Sequence, residues 1–302
     1  MCRCEPQRPQ RAQRLPRQKT SNRWSLGVLG AFCGLLVLLA RSRADDAAPR
    51  NPVLDQLLDQ GVTIPGFGPY RLPKPIVDPD MDGAALEKAL EKAARPVPLK
   101  LFKKVGPFAP ISLRVNPVSN RAGMTVGHDV RLHFVMRGKL ADIAKKNAIL
   151  ELLGGPGAGF TPFAARQLQN RQITLLAAKG LDDQYGALRL PFPLFRAVNG
   201  IARHVTLTDK KSVSSALILD ERFAKDKEFP SFWRRGNTTG DYAGLGGYVF
   251  AMDLLEPKGA LYVEMHCVFH ESKEWSNGQQ VLRSKLPIAI RDNVLEFRRP
   301  KK

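Results

Sequence analysis

The sequence predicts an α+β fold: an antiparallel β-sheet packed on a C-terminal amphipathic helix, with extra helices towards the N-terminus. Three observations carry this reading. Seven short runs rich in β-branched and aromatic residues lie between Ile111 and Phe269, separated by Gly, Asn and Asp turns. These runs do not alternate regularly with helical segments, which argues against a parallel βαβ sheet. The chain then closes on a stretch in which Leu282, Leu286, Ile290, Val294 and Phe297 recur at helical spacing.

The first 44 residues are expected to lie outside this fold. "MCRCEPQRPQRAQRLPRQKTSNR" carries seven Arg/Lys against one acid, Glu5, and Trp24 to Ala40 then runs seventeen residues without a charge. Ser42 and Ala44 occupy the small positions that a signal peptidase reads before Asp45. The excess of Lys/Arg keeps the N-terminus cytoplasmic. The rest of the chain is expected to be extracytoplasmic (periplasmic), either released after Ala44 or anchored through Trp24–Ala40. Nine Arg/Lys and one Glu in this segment account for +8 of the formal +19, so residues 45–302 keep +11. Cys2, Cys4 and Cys33 go with the signal, leaving Cys267 without a partner for an internal disulfide.

Residues 45–82 read as a proline-rich tether. Eleven of the 23 prolines fall between Asp45 and Pro110, which removes backbone donors and favours extended conformation. "PVLDQLLDQG" is a short amphipathic piece within it. A single globular domain is expected over 83–302. "GAALEKALEKAAR" predicts a helix from Gly83, with Asp82 as N-cap and Pro96 as its stop. "LADIAKKNAILELLGG" predicts a second helix capped by Gly154. "TPFAARQLQNR" predicts a third, with Thr161 as N-cap and Pro162 in the first turn. "ISLRV", "VRLHFVM", "QITLLAA", "IARHVTL", "VSSALIL", "GYVFAMDLL" and "ALYVEMHCVF" are the predicted strands. In the final helix Pro287 either kinks the helix or starts its main part.

"GALYVEMHCVFHESKEW" (259–275) gathers two histidines, a cysteine and three glutamates. As a strand it places Leu261, Val263, Met265, Cys267 and Phe269 on one apolar face, the side expected to meet the C-terminal helix. Tyr262, Glu264, His266, Val268 and His270 fall on the other. His266 and His270 are about 13 Å apart along a strand, too far to share one ion. Glu264 and His266, two apart, could share a metal if a third ligand came from elsewhere. "HESKE" lacks the second histidine and the helix of a zinc-protease motif.

"DPDMDG" has the D-x-D-x-D-G opening of a calcium loop, offering Asp78, Asp80 and Asp82 as Ca2+ ligands, but position twelve is Ala89. The alternative is an acidic cluster favoured by the dipole of the following helix. No other cofactor is indicated. "GGPGAGF" lacks the Gly-Lys-Ser/Thr of a phosphate loop, and no G-x-S-x-G or S-x-x-K nucleophile occurs. His128, His133 and His204 are scattered single histidines in strands, which favours structural roles. The basic residues fall in dispersed pairs without interleaved aromatics, which argues against nucleic acid; they read first as a solubilising surface, with anionic envelope lipid or wall polymer as the alternative partner.

The hairpin "GYVFAMDLLEPKGALYVEMHCVF", followed by "LRSKLPIAIRDNVLEFRR", resembles the START/polyketide-cyclase superfamily over the last hundred residues. The resemblance implies a helix-grip fold, in which the sheet wraps a long C-terminal helix. It also implies a cavity between them for lipid or another hydrophobic molecule, and no dedicated catalytic constellation. Val263, Met265, Cys267, Phe269, Leu282, Leu286, Ile290 and Val294 are the residues that would line such a cavity. The expected function is therefore non-catalytic binding in the cell envelope. The alternatives are a structural or protein-interaction domain without a cavity, or an enzyme, for which no set of catalytic residues is complete.

Overall fold

Asn51 starts the folded body by serving two elements at once. Its Oδ1 accepts a hydrogen bond from Leu54 N (3.1 Å), capping helix α1 (Pro52–Asp59), while its amide donates to the carbonyls of Val205 (2.9 Å) and Ser214 (3.1 Å) in the sheet. The computed structural model describes residues 50–193, 196–276 and 281–299. The export signal read at 1–44 lies outside the described residues. Of two units, Met1–Ala48 and Pro49–Lys302, the described residues belong to the second.

After α1 come the small hairpin β1 (Val62–Ile64) and β2 (Gly68–Tyr70), helix α2 (Gly83–Ala94) and the single turn α3 (Leu99–Phe102). The stretch expected as a tether is instead a layer of the fold, because Val53, Leu57, Val62, Ile64, Leu72 and Val77 are all buried. Its only ladder is the short β1-β2 hairpin, but its apolar side chains still gain by leaving water against a sheet face. The domain boundary therefore falls near Asn51 and not at Gly83. Helix α2 forms as predicted, with the Asp82 carboxylate accepting from Ala85 N at 2.7 Å.

The strands β3 (Ile111–Ser119) and β4 (Thr125–Arg137) lead into α4 (Leu140–Ala144) and α5 (Ala148–Gly154). The single helix expected here is broken at 145–147, and Gly155, at φ +65°, takes the cap assigned to Gly154. Next come β5 (Gly159–Pro162) and α6 (Ala165–Asn170). Thr161 and Pro162, expected to open a helix, instead pair with Ala187 and Gly186 of β6 (Leu181–Phe192). "QITLLAA" forms no strand. The place beside β7 (Arg196–Thr208) is filled by β6, whose Asp182, Asp183 and Gln184 hide it from a propensity reading.

The remaining elements are β8 (Ser212–Leu219), β9 (Phe232–Arg235), β10 (Thr238–Asp241), β11 (Leu245–Asp253), β12 (Ala260–His270), α7 (Lys273–Ser276) and α8 (Val281–Arg298). The strands join antiparallel in the order β5-β6-β7-β8-β11-β12-β4-β3. The hairpin β9-β10 pairs with the first four residues of β7, Arg196 to Asn199.

Both faces of this sheet are covered. Against one face pack α4, α5 and α8, in a cluster that joins Val263, Met265, Cys267 and Phe269 to Leu282, Leu286, Ile290, Val294 and Phe297. Helix α8 runs on through Pro287, and Asn293 ties it to α5 by donating to the Leu152 carbonyl at 3.1 Å. Against the other face packs the N-terminal layer. Gly246 allows that approach: a Cβ there would sit 2.6 Å from Val62 Cγ2 and 2.8 Å from Leu57 Cδ2. Parity gives β12 one apolar and one more polar face, yet the strand is buried on both as far as Phe269.

Candidate functional site

Among the described residues, the N-terminal layer leaves a large opening over the sheet. Between residues 73–76 and α2 on one side, and β3, β4 and β12 on the other, lies a cleft of about 770 Å³. Helix α2 turns Ala85, Ala89 and Ala93 towards it, four residues apart, and so presents one small apolar face. Ile76 and Pro75 extend that wall. Lys88, Lys92, Arg95, Arg114, Arg131 and Lys74 supply the charge around it, against one lining carboxylate, Glu91. A cleft lined mainly by one sign of charge concentrates ligands of the other.

His133 and His266 form part of its lining. The register of β4 against β12 puts His133 directly opposite Glu264 and Arg131 opposite His266, so both histidines and the carboxylate share a face. All three are buried, Glu264 completely. Glu264 receives the Tyr262 hydroxyl (3.0 Å) and Ile76 N (3.0 Å), and its Oε1 lies 2.8 Å from His266 Nε2. His133 Nδ1 meets the same Tyr262 hydroxyl at 2.9 Å. The Tyr248 ring stacks on His266 at 5.3 Å, nearly parallel, and its own hydroxyl donates to the Pro73 carbonyl at 2.8 Å.

The protonation states follow from burial and neighbours. Burial lowers the His133 pKa to about 4, against the opposing pull of the Glu264 carboxylate. Burial pushes Glu264 up, but His266, His133 and the Ile76 N–H outweigh it and hold the carboxyl below its usual value. The Tyr262 phenol, desolvated and beside Glu264, is raised well above its ordinary range and stays a proton donor.

The structure places the sequence-derived candidates differently. Val263, Met265, Phe269, Leu286, Ile290 and Val294 are wholly inaccessible, and Cys267 and Leu282 nearly so. No water-sized void opens against the wholly inaccessible six. A hollow of about 480 Å³ does touch the end of α8, but its walls are Met136, Ile143 and Phe297 with Lys139, Lys145 and Arg298.

Among the aspartates, Asp82 caps α2, Asp78 accepts from Asp80 N, and Asp80 pairs with Lys211 at 2.6 Å. Among the described residues these carboxylates do not gather round a common point; the group that does is His133, Glu264 and His266. His133 was read as a lone strand histidine. Only the pairing of β4 with β12 reveals its company, though both strands do carry histidine on their polar face.

The class defined by this architecture is a helix-grip α+β fold: one antiparallel sheet holding a long C-terminal helix against its face. No protein-family model matches the sequence, and no curated protein matches it. Among solved structures, the chain is similar to the human StarD13 (DLC2) lipid transfer and protein localization domain, at 9% identity and a TM-score of 0.38, covering 64% of this chain and 87% of that one. It is also similar to human STARD10, at 11% identity and a TM-score of 0.30, over 72% and 81% of the two chains. Protein Ms6760 from Mycobacterium smegmatis matches at 12% identity and a TM-score of 0.30, over 64% and 99%. These likenesses concern the path of the chain and carry nothing about its chemistry.

Proposed function

We propose that this protein is a non-catalytic, extracytoplasmic binding module for a hydrophobic molecule with an anionic head, held in the cleft beside α2. The observation that carries the proposal is the cleft itself: an apolar wall of Ala85, Ala89, Ala93 and Ile76 edged by six basic side chains. An amphiphile satisfies both surfaces at once, its chain leaving water and its head meeting Lys88, Lys92 and Arg114. At about 770 Å³ the space suits a small-molecule ligand. A ligand lodged between β12 and α8, as the START resemblance implies, would have to part side chains that are already fully packed. The export signal read at 1–44 supports the extracytoplasmic setting, where anionic envelope lipid is available.

Mass spectrometry of the purified full chain, before and after organic extraction, is the test. Co-purified anionic lipid or fatty acid that is lost in the triple variant Lys88→Glu, Lys92→Glu, Arg114→Glu supports the cleft. Lipid retained by that variant would move the ligand elsewhere. The absence of any lipid, together with no binding to phosphatidylglycerol vesicles, would favour a structural domain, a reading that the packed interior against α8 supports.

A further inference from the structure

We propose that His133, Glu264 and His266 bind a zinc-class divalent metal ion at the base of this cleft. One ligand atom from each lies within 4.8 Å of the other two, and all three residues are buried. Zinc bonds of about 2.1 Å set tetrahedral ligands about 3.4 Å apart, so small side-chain rotations close the set. Two imidazoles and a carboxylate are a donor combination suited to zinc and its neighbours in the first transition row.

Two features separate this cluster from an ordinary buried ion pair. The first is His266, which is 1% exposed and yet has no hydrogen bond at either ring nitrogen among the described residues. Its Nε2 lies 2.8 Å from Glu264 Oε1 but out of line for a hydrogen bond. An unsatisfied buried imidazole is costly, and a ligand that draws on its lone pair removes the cost. The second is the tautomer of His133. The Tyr262 hydroxyl has one proton, and Glu264, a carboxylate, must receive it. The 2.9 Å contact with His133 then requires Nδ1–H to donate to Tyr262, which leaves Nε2 with its lone pair free for a metal. Outer-shell hydrogen bonds of this kind orient metal-binding histidines. Ile76 N and Tyr262 fix the carboxylate, and the Tyr248 ring fixes the plane of His266.

Three protein ligands leave a fourth position. His133 and His266 line the cleft, so that position faces it, where water or an anionic group would complete the shell. The site does not depend on the amphiphile reading, and zinc binding is measured without lipid.

The test uses the full chain, stripped with chelator and dialysed against zinc, with metal content read by mass spectrometry. Cobalt(II), a coloured substitute, reports the geometry. One equivalent of zinc per chain is expected, with four-coordinate cobalt bands in the visible. His266→Ala, Glu264→Gln and His133→Ala should each weaken zinc by at least about 100-fold, the upper end of the loss from outer-shell partners alone. His204→Ala, remote from the cluster, should leave zinc affinity unchanged. Circular dichroism identifies any variant that has lost its fold. For such a variant the wild type decides: zinc must raise its Tm, and Tyr262→Phe, which keeps the ring, must weaken zinc about 10-fold or more. A folded wild type that takes up no zinc at tens of micromolar would overturn the proposal. So would zinc retained undiminished by the three ligand variants, which would place the metal elsewhere in the chain.

Discussion

The two faces of β12 are built on opposite terms. Towards α8, Val263, Met265, Cys267 and Phe269 meet an apolar cluster packed closely enough to leave each of them at most 1% exposed. Towards the N-terminal layer, the same strand places Tyr262, Glu264 and His266, one residue out of phase, in a polar network beneath a basic cleft. The burial is equal but its chemistry is not. One face stabilises through area removed from water, and the other keeps charged and hydrogen-bonding groups under cover, where they cost stability unless paired. The dry face holds the molecule together, and the wet face is where a ligand can be recognised.

The largest effect should come from breaking the dry face. Phe134 is fully buried and meets Phe297 edge-on at 6.2 Å. Phe134→Ala should cost about 4 kcal/mol in urea unfolding, a cavity penalty with little relief from relaxation. A value under about 1 kcal/mol would mean that α8 is loosely held.

The next effect comes from a polar exception on that face. His204 bonds Ser215 Oγ at 2.7 Å, and burial lowers its pKa to about 4, partly offset by Asp182. The folded state thus keeps this imidazole neutral while the unfolded chain takes a proton as pH falls below about 6.5. Its contribution is fully present above that pH and is lost between about 6.5 and 4, some 3 kcal/mol in all. Urea titrations at pH 7.5, 5.5 and 4 should show the loss, and His204→Gln should flatten that part of the profile.

A smaller effect tests how closely the N-terminal layer sits. Gly246→Ala forces a methyl against Val62 and Leu57, and should destabilise by about 1–3 kcal/mol through overpacking. Proteolysis should then cut first between Asn51 and Asp82. Smallest is Asp82→Ala, which removes the cap of α2 and should cost about 1 kcal/mol, measured as a shift in Tm.

Periodicity made one face of β12 legible and left the other dark. The apolar alternation from Leu261 to Phe269, and the spacing from Leu282 to Phe297, identified the sheet-on-helix core because hydrophobic period reports burial directly. The α2 cap was legible for a similarly local reason. The second covering layer was not, because residues 50–82 have neither helical nor strand period over most of their length, and prolines disguise apolar positions that still become buried. The metal cluster was half legible: Glu264 and His266 share a strand face by parity, whereas His133 arrives by a pairing between strands more than a hundred residues apart. The calcium reading of Asp78, Asp80 and Asp82 rested on spacing alone, and spacing serves an N-cap equally well.

The bond from Ile76 N to Glu264 joins residues 188 apart in sequence, and Asn51 reaches 163 residues to Ser214. At a synthesis rate of about 5–20 residues per second, Ile76 waits roughly 10–40 s for its acceptor to be made. Until β11 and β12 exist, Ile76 lacks its acceptor, and the apolar side chains that this layer sets against Tyr248, Phe250, Tyr262 and Val268 stay uncovered. Such long-range closure slows folding. The same segment that shelters the finished sheet is therefore the part of the newborn chain most in need of a chaperone.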